Sequence, residues 1–174
     1  MTMILNYWGH ATRISEVLGH ALRAGAWSTS RLWLHSQLVT VLHNHGLAAC
    51  RRNWRLLDGR EQAYLAGRPA EGSDSELDWV KRQMMREGLD CLTRLLGLRV
   101  PVIVSVHRPF GAREARGHQV VLLGRGDGHV WYHDPAEREG RQLRLPVAAF
   151  MANWRGTAII AAPRDHPALD PAPS

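Results

Sequence analysis

The apolar positions of this chain change period once, near Leu98: ahead of it they recur at helical spacing, beyond it at the two-residue spacing of strands. Residues 2–8 are apolar and stop at Gly9, a plausible C-terminal glycine cap. Two turns are too short to stand alone, so this segment reads as the tail of a longer helix. Ile14, Val17, Leu18, Ala21 and Leu22 form a second helical stripe, opened by Thr12 or Ser15. Leu34, Leu38, Val41 and Leu42 form a third, closing at Gly46. Residues 51–73 are mixed and predict a short strand or helix, then a loop marked by Gly67, Pro69, Gly72 and Ser73. Ser73 or Ser75 opens a longer helix with Leu77, Val80, Met84, Leu92, Leu95 and Leu96 on its apolar face, interrupted by Gly88.

Residues 100–106 are β-branched and almost wholly apolar, which predicts a buried central strand. Strands follow at 118–123 and 129–133, with Gly124, Gly126, Asp127 and Gly128 between them as a hairpin signal. A shorter strand at 141–145, a helical segment at 147–154 and an apolar strand at 156–162 complete the pattern. Helices first and an antiparallel sheet second give an α+β layout, one domain over residues 1–162. Residues 163–174, rich in Pro and Ala, predict a disordered tail.

Composition narrows the function classes. The 174 residues suit one core, and no apolar run is long enough to cross a bilayer. Residues 1–8 carry neither the basic flank nor the cleavage site of a secretory signal, so the default compartment is the cytoplasm. The net charge of +6 comes mostly from arginine, which with many Ala and Gly suggests GC-rich, bacterial-type coding. Arg51, Arg52, Arg55 and Arg60 surround Trp54, as a nucleic-acid or acidic-lipid patch or as a solvated face; no nucleic-acid motif accompanies them, which favours the solvated face. Two cysteines, Cys50 and Cys91, exclude a cysteine-rich metal cluster or a disulfide framework. Cys50 reads as a small buried residue at a strand edge, and Cys91 as part of a helix's apolar stripe. His43-Asn44-His45 reads as the polar end of the helix that stops at Gly46.

The hairpin brings candidate chemistry together. A loop over residues 124–128 pairs Leu123 with His129, Leu122 with Val130 and Val120 with Tyr132, and sets His118 opposite Asp134. Directly opposed residues share a face, and an Asp beside a His can fix its tautomer and stabilise its charged form. A two-residue turn at Asp127-Gly128 instead slides His118 opposite Glu137. His107 ends the central strand a few residues from a Pro109-Phe110-Gly111 turn, lining a cleft or forming a polar edge. His133 and Trp131 fall on the face opposite His118, in structural roles, and His129 at the hairpin base faces solvent.

Gly117-His118-Gln119-Val120-Val121, then Gly124, then Val130-Trp131-Tyr132-His133-Asp134-Pro135, resembles the His and Asp-Pro segment of the double-glycine (bacteriocin) leader peptidases, the thirty-ninth cysteine-peptidase family, whose fold is papain-like. The strand at 101–106 is similar to the one preceding the family's His, and Phe150 with Trp154-Arg155-Gly156 to its closing helix and strand. Met3-Ile4-Leu5-Asn6-Tyr7-Trp8-Gly9 resembles the end of the helix that begins at the nucleophile, and the segments at 14–22 and 33–46 the helices after it. The resemblance implies peptide or protein substrates, cut after Gly-Gly by a thiolate with His118 as base and Asp134 as its orienter, without cofactor or metal.

In that family a Cys opens the first helix and a Gln shortly before it helps form the oxyanion hole; the matching positions here fall ahead of Met1. Either the start is placed too late, or the protein binds without cutting. Neither Cys50 nor Cys91 matches the nucleophile's position. The expected function is a peptidase-like domain with His and Asp of a triad. A non-catalytic peptide-binding module and a basic nucleic-acid-binding protein are the rivals.

Overall fold

The computed structural model describes residues 1–29, 33–55, 73–107 and 117–169, with the backbone alone for residues 73–77. Arg60, the loop markers at 67–72, the Pro109-Phe110-Gly111 turn, the side chain of Leu77 and residues 170–174 lie outside the described residues.

The helical half holds α1 (Thr2–Tyr7), α2 (Ile14–Arg23) and α3 (His35–Asn44). α1 ends where Gly9 takes φ +82°, and α3 ends where Gly46 takes φ +87°, the left-handed conformation that glycine adopts without strain. β1 (Ala48–Asn53) runs into the start of the mixed segment, most of which lies outside the described residues, and the long helix is α4 (Ser73–Gly97). β2 (Val102–His107), β3 (Gly117–Gly126), β4 (His129–His133), β5 (Leu143–Pro146), α5 (Val147–Asn153) and β6 (Trp154–Ala162) follow.

The six strands make one antiparallel sheet in the order β1-β6-β2-β3-β4-β5. The apolar segment at 100–106 supplies the inner strand β2, flanked by β6 and β3 and buried from Val102 to Val106. Both faces of the sheet are covered, which is why β2 reads as a continuous apolar run instead of alternating. On one face Val102, Val104, Val106, Val120, Leu122 and Ile160 pack with Leu92, Leu95 and Leu96 of α4 and Phe150 of α5. On the other, Ile103, Val121, Ile159 and Ala161 pack with Ile4 and Leu5 of α1, Val17 and Ala21 of α2, and Leu38, Val41 and Leu42 of α3. The Trp8 indole N–H donates to Ala161 O (3.0 Å), tying α1 to the end of β6.

One expectation changes. Gly88 does not interrupt α4; the indoles of Trp54 and Trp154 lie against it, and a Cβ there would meet them at 2.7–2.8 Å. Glycine at this position lets two large rings approach the helix axis. At the start of the segment read as a tail, a 3₁₀ turn (Pro167–Leu169) follows His166, whose ring packs edge-on against Trp8 with centroids 5.2 Å apart.

Candidate active site

The β3–β4 hairpin turns through Asp127 and Gly128, at φ +48° and +72°, with Gly126 paired to His129. Two positive φ values with Asp-Gly are the signature of a tight two-residue hairpin turn. That turn alone would set His118 opposite Glu137. Between Leu122 and Gly124, however, the register shifts, with Leu123 as the extra residue, so that Leu122 pairs with Tyr132 and Val121 with His133. The bulge moves the parity back by one. His118, paired with Val106, and Asp134, two residues past Tyr132, therefore share one face, the face of α4. Direct opposition is corrected: continuing the register brings Asp134 beside Val120, and the pair forms on the diagonal.

The contact is short. His118 Nε2 and Asp134 Oδ1 lie 2.7 Å apart, with the side chains 16% and 6% exposed. A carboxylate only accepts, so Nε2 carries the proton and donates, and Nδ1 is the lone-pair nitrogen of the neutral ring. His118 lies one residue from the start of β3, at the rim of the sheet. Asp134 is held from three sides. Its Oδ1 also accepts from the Ala136 N–H (2.9 Å), an Asx-type turn. Its own N–H donates to Gly140 O (2.7 Å). Gly140 is buried against the Asp134 carbonyl so closely that a Cβ there would overlap the oxygen. Tyr132, on the same face, has its phenol pushed up by burial and by the charges of Asp134 and Glu137.

The other candidates separate from this pair. Cys50 is exposed, against expectation: it sits on the edge strand β1 opposite Ile160, three strands from β3, about 14 Å sideways. Cys91 is half-buried on α4, two residues before Thr93. The Thr93 hydroxyl takes a hydrogen bond from Arg125, and roughly 20 Å of strand separates Arg125 from His118. His133 and Trp131 do face away from His118. Trp131 lies across Gly124 and Gly126 with Arg144 over its ring, a packing role. His129 bonds Asp127 O (2.6 Å) and is half-buried.

Sequence reasoning missed a polar group on the helical face. His35, in the first turn of α3, places Nε2 2.8 Å from Gln119 Nε2 and 3.4 Å from Ser105 Oγ. Ser105 and Gln119 are paired across β2 and β3. The available signal was Ser105 itself, a hydroxyl inside an otherwise apolar strand. No group of three or more His, Cys, Asp or Glu among the described residues is arranged to hold a metal ion. No helix among them is long and apolar enough to cross a membrane.

No family model and no curated protein matches the sequence. Among solved structures, the chain is similar to the peptidase domain of Streptococcus ComA, a bi-functional ABC transporter involved in a quorum-sensing pathway. The likeness has a TM-score of 0.57 at 15% identity and covers 92% of this chain and 85% of that one. The chain shares the fold of that peptidase domain. Within this papain-like α+β fold, the helical half and the antiparallel sheet meet as the sequence pattern predicts.

Proposed function

We infer that this is a peptidase-like domain that acts on peptides, with His118 as general base and then acid and Asp134 as the group that orients it. One observation carries the reading: a 2.7 Å His–Asp contact, with a nine-tenths-buried carboxylate, at the sheet rim of a peptidase fold. Such a pair holds the imidazole in a single tautomer and stabilises the imidazolium formed when it takes a thiol's proton. The hydrogen bond from Nε2 leaves Nδ1 to face a nucleophile.

The nucleophile is the member that Cys50 and Cys91 do not provide, since topology keeps both away from His118. Without a thiolate the pair has nothing to activate. The 174-residue polypeptide by itself therefore binds peptide and does not cut it. No cofactor enters this chemistry.

The test is a titration of the ¹⁵N-labelled chain with a synthetic peptide carrying an internal Gly-Gly. The reading predicts saturable shifts of the His118 ring and an intact peptide after prolonged incubation. Shifts confined to other surfaces, or thiol-dependent cleavage by these 174 residues, would overturn it.

A further inference from the structure

On the helical side of the sheet, behind His118, the inward side chains stop being apolar. Ser105 is paired with Gln119, and His107 with Gly117, on the same face of β2 and β3. His35 reaches this group from α3. Arg155 arrives from the irregular start of β6 and lays its guanidinium on Gly117, where any side chain would overlap Nη1. Arg51 on β1 is a second cation. Both arginine charges reach His35, whose pKa is lowered by burial first and by Arg51 and Arg155 after it.

Among the described residues no carboxylate is paired with this group of bases. Among the described residues the ion pairs are Lys81–Asp78 and His118–Asp134, and neither Arg51 nor Arg155 has a carboxylate partner. His107 Nδ1 is buried with no hydrogen-bond partner among the described residues. A half-buried guanidinium with no counter-ion among the described residues, beside an imidazole nitrogen with no partner among them, is costly, and an incoming anion offsets that cost. Guanidinium matches the planar, two-oxygen geometry of a carboxylate. Arg155 lies on Gly117, the residue before His118, at the rim where a peptide meets the base.

We propose that Arg155, supported by Arg51, His35 and His107, binds a carboxylate of the peptide ligand, either its free C-terminus or an Asp or Glu side chain. This rests on the peptide-binding reading of the site. The carboxylate docks on the helical face of β3 and positions the chain for His118 on the rim.

Two measurements on the 174-residue chain keep the two ideas apart. Sodium acetate, titrated into ¹⁵N-labelled protein, reads the anion site alone: the Arg155 Nε–H and His35 ring signals shift. Arg155→Gln removes the shift while the spectrum stays dispersed. Fluorescein-labelled hexapeptides ending in Gly-Gly are then compared by anisotropy as free acid, as C-terminal amide, and as amide with one Glu. A carboxylate gains about ten- to a hundredfold in affinity over the plain amide. Arg155→Gln erases that gain and leaves the plain amide unchanged, and the peptide that gains identifies the source. Equal binding of all three, or no acetate shift at Arg155, overturns the carboxylate site and leaves peptide binding standing. An acetate shift with no peptide bound in any form overturns the peptide reading beneath it.

Discussion

His118 Nε2 and Asp134 Oδ1 meet at 2.7 Å although neither residue faces the other across a rung of the sheet. The contact exists because a bulge at Leu123 cancels the one-residue offset of the tight Asp127-Gly128 turn. A slip of one residue sends a side chain to the other face, so the bulge decides whether the two side chains meet.

Asp134 is expected to be a stability determinant as well as an orienter. Asp134→Ala leaves the His118 N–H and the Ala136 N–H without their acceptor. Unmade buried hydrogen bonds of this kind cost about 1–3 kcal/mol. A thermal melt of several degrees' lower midpoint checks this. An unchanged midpoint would show that solvent replaces Asp134 freely.

Gly140→Ala tests the scaffold behind the pair. A Cβ at this position overlaps the Asp134 carbonyl oxygen and comes within 3.0 Å of Glu137 O, both backbone atoms that cannot rotate aside. The loop has to open, which breaks the Asp134 N–H bond to Gly140 O. We expect a loss of about 1–3 kcal/mol in denaturant unfolding, together with an altered His118 ring signal by NMR. Native stability with His118 unmoved would contradict the account of the loop.

Mild acid should destabilise the fold. His35, His45 and His133 all have pKa values lowered from 6.5, each by burial first, then by Arg51 and Arg155, by His20, and by Arg141 respectively. A His with a lowered folded-state pKa binds its proton more readily when unfolded. Stability therefore rises with pH through this range: it is full above 6.5 and lost as pH falls toward the folded-state values. Urea midpoints at pH 7.5 and 5.5 should differ in that direction. His45 also sits 2.9 Å from His20, ring nitrogen to ring nitrogen, so His45→Gln should flatten part of the slope. An equal slope in the variant would remove His45 from the explanation.

Much of this was legible in the sequence, for identifiable reasons. The apolar stripes of α1 to α3, the glycine stops after α1 and α3, and the strand character beyond Leu98 follow from period and glycine caps, which are local signals, whereas α2 opens after Arg13 with no side-chain cap, not at Thr12 or Ser15. The shared face of His118 and Asp134 was legible, but the register behind it was not. Gly124 and Gly126 read as loop, whereas they lie in β3 because the Trp131 ring covers them. A bulge depends on such cross-strand packing, which no single-strand pattern encodes. The exposure of Cys50 was illegible because edge position depends on sheet order, and the packing of Trp54 and Trp154 on Gly88 because it joins segments far apart in the chain. The Arg155 cluster escaped because its members come from β1, α3, β2 and β6 and carry no spacing in common.

The central proposal is that His118 and Asp134 are the base and orienter of a peptide-cutting site that a thiolate and an oxyanion donor would complete. The most direct measurement is cleavage of a Gly-Gly peptide by a chain to which a helical turn opening with Gln and Cys has been added ahead of α1, compared with its His118→Ala and Asp134→Asn variants. The account predicts thiol-dependent cleavage that alkylation abolishes, and losses on the order of a hundred- to ten-thousandfold in each variant. Cleavage by the extended chain that survives His118→Ala undiminished would contradict it.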